Sequence, residues 1–207
     1  MLKRTKGRLL LTLLVVTGFA GTLNDTTLTK QERKVVVSQL KDTKTDLLKS
    51  IRGLTETQLN FKQSPGRWSV KECFYDLTLA ETGLWRMLEA SLKEPATPEK
   101  LSELKISDEE LLKAITHQTT KAAAPDIFPP GKADWQSMNE AVSAFKASRL
   151  QHLKYVKTTT EDLRNHYIQL PFGWVDCYQF IIFMSGNSNR KIQQINEIIA
   201  DPDFPKN

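Results

Sequence analysis

Apolar residues recur every three or four positions along most of the chain, which is the period of an amphipathic helix. The first such stretch follows a capping box, in which Thr29 and Glu32 satisfy free amides of a first helical turn. Its apolar stripe consists of Val36, Val37, Leu40, Leu47, Leu48 and Ile51. Because Gly53 is a helix stop signal, the pattern predicts one helix between the box and this glycine.

Two further capping boxes predict the next two helices. Ser69 and Glu72 form one box, and Trp68 is placed before it as a hydrophobic staple. The helix that this box opens ends before Pro95, and its stripe consists of Val70, Phe74, Leu77, Leu84, Met87 and Leu88. The other box, at residues 107–110, opens a shorter helix with a stripe of Leu111, Leu112 and Ile115.

The second half of the chain predicts two more long helices. A proline-rich crossover with Pro125, Pro129, Pro130 and Gly131 precedes them. One helix spans about residues 134–157, and a turn at 160–163 and a break at 170–174 follow it. Asp176 with Gln179 then opens the last helix, which runs to about Ala200. Because no segment alternates with period two for long, no sheet is predicted. The fold class is therefore all-α, a four-helix bundle with a long Pro-rich crossover and a short extra helix.

The first twenty residues resemble a secretory signal peptide. Basic residues occupy positions 3, 4, 6 and 8, an apolar run covers 9–19, and small residues stand at 18 and 20. We therefore expect a signal peptide at 1–20, a linker at 21–28 and a helical domain at 29–205, exported to the periplasm or the extracellular space. The alternative is an uncleaved membrane anchor, although the run is short against the roughly 20 residues of a spanning helix.

Charge and cysteine content narrow the function classes. The net charge is +5, but removal of residues 1–20 leaves 25 basic and 24 acidic residues. A nearly neutral protein has little attraction for a phosphate backbone, so we expect no nucleic-acid partner, and no membrane partner after signal cleavage. Cys73 and Cys177 are interpreted as buried, unpaired thiols.

Three polar residues lie on or beside apolar helix stripes, where burial of an unpaired charge is costly. Asn187 and Lys191 belong to the last helix, in step with Met184, Ile195 and Ile198, and Asp76 belongs to the helix that starts at Ser69. These positions need a structural or functional explanation, and no catalytic residue is assigned.

The segments around these positions resemble a known family. Residues 68–72 with Asp76 and Leu77, and later residues 187–195, look like the two signature segments of the DinB-like (damage-inducible) four-helix-bundle family. The resemblance covers residues 28 to 205. It implies a bundle that holds one divalent metal by three histidines, one from the middle of the chain and two from the last helix.

This chain departs from that pattern at all three ligand positions, which carry Asp76, Asn187 and Lys191. The resemblance makes these three the candidate ligand-binding residues. A protonated lysine has no lone pair and repels a cation. None of the three histidines of the chain, at 117, 152 and 166, matches a ligand position. We therefore expect no cofactor, with one divalent metal as the alternative. We also expect the Lys191 ammonium to take the metal's place within about 4 Å of Asp76, with a supporting hydrogen bond from Asn187.

Three functions fit these observations. The first is a non-catalytic bundle that binds an unknown small molecule, or a partner, at a degenerate metal site. The second is a metal-dependent hydrolase or thiol transferase that keeps activity through Asp76 and further ligands that the sequence does not identify. The third is a structural homodimer. No phosphate-binding loop, nucleophile elbow or His-Glu-x-x-His motif points to another reaction class.

Overall fold

The computed structural model describes residues 27–116 and 134–206, and this part is mostly helical. Its elements, in chain order, are α1 (Lys30–Ser50), α2 (Glu56–Asn60), α3 (Val70–Lys93), a 3₁₀ helix (Pro98–Glu103), α4 (Asp108–Thr116), α5 (Met138–Thr158), β1 (Tyr167–Leu170), β2 (Gly173–Asp176) and α6 (Cys177–Ile199). The four long helices, α1, α3, α5 and α6, pack together as the predicted bundle. Within these two ranges, no helix has the length and hydropathy needed to cross a membrane. The predicted signal peptide, and the crossover prolines, lie outside the described residues.

Local capping signals place the helix starts where the sequence predicts them. The boxes at Thr29 and Ser69 are both complete, with the cap hydroxyl accepting from the third helical amide at 3.2 Å. Ser107 caps α4 in the same way, and Asp176 Oδ1 accepts from the Gln179 amide at 2.7 Å at the start of α6. A further box at Thr55 opens α2, which is too short for an apolar period to reveal it.

The prediction that the chain has no sheet is wrong. β1 and β2 form an antiparallel hairpin in which Tyr167 lies opposite Asp176 and Leu170 lies opposite Gly173. The hairpin escapes a period-two search because each strand has four residues, and because Tyr167 and Ile168 are both buried although they point to opposite faces. Gly173, at φ 136°, adopts a backbone conformation that other residues rarely take.

Arg164 connects α1, α4 and the start of α6 at the end of the molecule where the hairpin lies. Its guanidinium contacts Glu32 of α1 and Asp108 of α4 at 2.5 Å, and Asp176 at 2.8 Å. It also lies 4.0 Å from the ring centre of Tyr178. Burial raises the pKa of Asp176 to about 6, although Arg164 opposes the shift. One side chain thus joins the starts of three helices.

The interior consists of two apolar clusters with polar residues between them. One cluster includes Leu40, Leu84 and the start of α6, and the other includes Phe74 and Phe145, whose ring centroids are 5.8 Å apart. Each long helix contributes a buried polar residue where it passes from one cluster to the other. These four residues, the polar layer, are Thr43, Glu81, Arg149 and Ser188.

The two cysteines lie in different clusters and are free thiols. Cys73 belongs to the cluster around Phe74, whereas Cys177 belongs to the cluster at the start of α6. The prediction that they form no disulfide is confirmed. Burial raises the pKa of each thiol to about 12, so both stay protonated at neutral pH.

Candidate functional site

Asp76 and Lys191 form an ion pair between α3 and α6. The Lys191 ammonium nitrogen lies 2.6 Å from Asp76 Oδ2, which confirms the predicted separation of less than about 4 Å. The Lys191 side chain is 2% exposed and the Asp76 side chain is 12% exposed. The charge of the lysine is therefore balanced inside the protein, while its partner keeps a narrow contact with solvent.

Trp68 completes the surroundings of the ammonium. Its ring centre lies 4.2 Å from the Lys191 nitrogen, within the range of a cation–π contact. The capping box at Ser69 fixes the chain direction immediately after Trp68, and this places the indole against α6. The staple role assigned from sequence missed this contact, because local spacing around Trp68 carries no information about α6.

Asn187 does not join the pair as expected. Its Oδ1 accepts a hydrogen bond from Arg190 Nη2 at 3.4 Å, one turn further along α6, and the residue is half-buried. Among the described residues this is the only hydrogen bond of the Asn187 side chain. The predicted support of the Asp76–Lys191 pair by Asn187 is therefore wrong, because the Asn187 side chain bonds to Arg190 on its own helix instead.

The residues at these positions do not fit a divalent metal. A metal ion needs lone pairs, and the Lys191 ammonium offers none while it contacts the one carboxylate. Within residues 27–116 and 134–206, no three His, Cys, Asp or Glu side chains are grouped so that they could hold a metal. His152 lies beside the polar layer, His166 Nδ1 contacts the Ser91 carbonyl at 3.0 Å, and His117 is outside the described residues.

A cleft of about 270 Å³ opens beside the ion pair. The loop before α3 forms one wall and the second half of α6 forms the other. Its lining residues are Gln63, Gly66, Arg67, Trp68, Cys73, Lys191, Gln194, Glu197 and Ile198. Lys191 of the ion pair and Trp68, which contacts its ammonium, therefore face a space into which a small molecule fits.

The polar layer holds a second, fully buried ion pair. Arg149 on α5 forms a bidentate ion pair with Glu81 on α3: Nε donates to Oε2 at 2.9 Å and Nη2 donates to Oε1. Its remaining donors reach Thr43 Oγ1 at 2.9 Å, the Leu40 carbonyl at 3.2 Å and Ser188 Oγ at 2.8 Å. All four long helices thus meet at one guanidinium.

His152 flanks this pair as a neutral imidazole. It stacks on Trp85 with ring centroids 3.9 Å apart, and its Nε2 contacts Ser148 Oγ at 3.2 Å. Burial, reinforced by the Arg149 charge, lowers the pKa of His152 to about 3. Its Nδ1 is 3.6 Å from Glu81 Oε2, too far for a good hydrogen bond.

Sequence reasoning missed the polar layer, although a signal was present. Glu81 lies four residues after Leu77 and three before Leu84, so it occupies a stripe position rather than an exposed one. Arg149 follows Phe145 by four residues and precedes Leu153 by four. A charge of each sign on two stripes predicts a buried pair, whereas the partners can be identified only in three dimensions.

Comparison with known proteins agrees with this architecture. A family model described as the DinB superfamily matches residues 39–195. No curated protein sequence matches the chain significantly. Among solved structures, YfiT from Bacillus subtilis, described as a probable metal-dependent hydrolase with an unusual four-helix bundle topology, is similar at a TM-score of 0.55 and 14% identity. The match covers 84% of this chain and 89% of YfiT, and at that identity it establishes the fold alone.

Proposed function

The chain belongs to the DinB superfamily, and from this premise we propose that it is an exported, non-catalytic member that binds a small molecule in the cleft beside Lys191 without a metal. The single observation that carries the proposal is the Asp76–Lys191 pair at 2.6 Å, which stands where the family resemblance expects metal ligands.

A built-in ammonium replaces one role of a metal and removes another. Like a bound cation, Lys191 supplies positive charge that balances Asp76 and joins α3 to α6. Unlike a metal, it has no open coordination position at which to activate water or polarise a carbonyl. A chain with this substitution keeps the bundle and its cleft but lacks the usual source of hydrolytic chemistry.

The cleft supports binding rather than a structural role alone. Its volume, about 270 Å³, lies just below the roughly 300–1,000 Å³ of sites for drug-sized ligands, which points to a smaller molecule. Polar and apolar side chains both line it, the combination that orients a ligand while it excludes water. Cys73 also lines the cleft, but its thiol has a pKa of about 12 and is a poor nucleophile at neutral pH.

Two other functions compete with this proposal. A metal-dependent hydrolase or thiol transferase, the class to which the description of YfiT points, requires ligands other than the set at positions 76, 187 and 191. A structural homodimer requires an apolar face on the outside of the bundle. The exposed large apolar side chains of the described part, Leu101, Leu150 and Phe172, are the candidates for such a face.

Metal content and ligand binding test the proposal together. The purified mature protein is expected to contain no stoichiometric zinc, nickel or iron and to unfold at the same temperature with and without a chelator. The triple variant Asp76→His, Asn187→His, Lys191→His is the matched positive control, because it supplies three imidazoles at the same positions. Stoichiometric metal in the wild-type protein would overturn the proposal and favour the hydrolase.

A small-molecule screen by thermal shift then identifies binding, because a ligand that binds only the folded state raises the melting temperature. A dimer by light scattering, with no ligand found, would favour the homodimer instead.

Sequencing of the amino terminus from cell fractions tests export: the expected result is a start near Gly21 in the periplasm or medium, and an intact terminus in the membrane would show an anchor.

A further inference from the structure

Two opposite charges line the cleft without neutralising each other. Arg67 comes from the loop before α3, and Glu197 comes from α6. In the part of the chain that the structure describes, no ion pair within 4 Å joins them, and neither side chain pairs with another charge. The two groups therefore present a cation and an anion to the same open cleft.

The remainder of the cleft is close to neutral. Asp76 balances the charge of Lys191, and Trp68 and Ile198 supply apolar surface. The Gln194 side chain also lines the cleft, and its Oε1 is buried without a hydrogen-bond partner in the described part of the chain. The charges that remain for recognition are thus one guanidinium and one carboxylate.

We propose that this cleft binds a small zwitterion of the α-amino-acid class. The ligand carboxylate pairs with Arg67, which can hold it with two parallel hydrogen bonds, and the ligand ammonium pairs with Glu197. The Trp68 ring and Ile198 contact its side chain. This inference rests on the proposed binding function and names its ligand class; a simple anion would leave Glu197 unpaired, and a simple cation would leave Arg67 unpaired.

Three matched mixtures provide the test. The first contains the twenty free amino acids, the second their N-acetyl derivatives, which lack the ammonium, and the third their amides, which lack the carboxylate. We expect the free amino acids to raise the melting temperature most. Calorimetry with the best single amino acid should show affinity about tenfold higher than for either derivative, the effect of one charged hydrogen-bonded contact.

Variants locate the effect in the cleft. Arg67→Gln and Glu197→Gln should each weaken binding of that amino acid by about tenfold. Both residues are exposed, so the substitutions leave the core intact. Lys62→Gln, which removes an exposed charge outside the cleft lining, is the matched control and should leave the affinity unchanged.

The possible failures are distinguishable. If the free amino acids give no shift, or if N-acetyl derivatives or amides match them, the zwitterion proposal is wrong. If other small molecules still stabilise the protein and Arg67→Gln or Glu197→Gln weakens them, the binding function stands without it. If nothing in the wider screen binds, both proposals fail.

Discussion

Two ion pairs cross the interior of this bundle, and they differ in how completely the protein encloses them. Arg149 and Glu81 are 0% and 1% exposed in their side chains, and the guanidinium of Arg149 donates hydrogen bonds to the other three long helices. Lys191 and Asp76 share one close contact, and Asp76 keeps 12% of its side-chain surface exposed beside a cleft.

The difference indicates different roles for the two pairs. A pair whose hydrogen-bonding groups are satisfied by fixed helices restricts how those helices align, and it leaves nothing for a ligand to contact. A pair at the wall of a cleft, with an aromatic ring over the ammonium, keeps a charged environment within reach of a small molecule. From this comparison we infer that Glu81–Arg149 aligns the bundle, whereas Asp76–Lys191 stands at the wall of the proposed binding cleft.

The largest effect is expected from Arg149→Met. This change leaves the Glu81 carboxylate buried without its cation and should lower the free energy of unfolding by roughly 3–5 kcal/mol, measured by urea denaturation. Glu81→Leu combined with Arg149→Met should recover much of the loss, because no charge then remains buried. A loss below about 1 kcal/mol in the single variant would contradict the central role of this pair.

A somewhat smaller effect is expected from Lys191→Met. The unpaired Asp76 can still reach water, so the loss should fall near the lower end of the same range, about 3 kcal/mol. Asp76→Asn with Lys191→Met should restore much of the stability. If the double variant is as unstable as the single one, the pair is not what Lys191 contributes. If the single and the double variant both have nearly the wild-type free energy of unfolding, the burial of Lys191 has no energetic consequence.

Acid should destabilise the protein through His152. Its pKa is about 3 in the folded protein against an ordinary 6.5, so between these values the unfolded chain binds more protons. Stability therefore rises with pH through this window and falls as the pH drops below about 6.5. At about pH 5 this proton uptake lowers the free energy of unfolding by about 2 kcal/mol. His152→Phe, which keeps a ring against Trp85, should remove this loss.

The measurement for this prediction is the free energy of unfolding at neutral pH and near pH 5 in both proteins. The other titratable groups are common to the wild-type protein and His152→Phe. The difference between the pH dependences of their free energies of unfolding therefore reports His152. Equal slopes would mean that the imidazole already finds a proton acceptor when folded, with Glu81 as the nearest candidate at 3.6 Å.

The smallest effect is expected at the surface pair Lys62–Glu72. These atoms are 2.7 Å apart, as close as the buried pairs, but the side chains are 44% and 47% exposed. Lys62→Met should change the free energy of unfolding by less than about 1 kcal/mol, and added salt should reduce even that. A loss as large as that of Lys191→Met would show that enclosure does not govern the strength of these contacts.

Part of the candidate site could be predicted. Asp76 and Lys191 carry opposite charges on or beside apolar stripes, and the family resemblance places the two positions opposite one another. The cleft charges could not be predicted, since Arg67 lies in a loop whose path depends on Gly66, at φ 81°, and on packing against α6. The contact between Asn187 and Arg190 is local, but the sequence analysis paired Asn187 with Asp76 and Lys191 instead.

The sequence by itself determined the four long helices and α4, because caps and apolar stripes act between residues three or four positions apart. Thr29, Ser69, Ser107 and Asp176 begin their helices in the structure as the sequence predicts. Only the tertiary structure decided which stripe charges meet, where the hairpin forms and which side chains face the cleft. Those contacts join residues far apart in the chain, and their geometry depends on how whole helices pack, which no local pattern encodes.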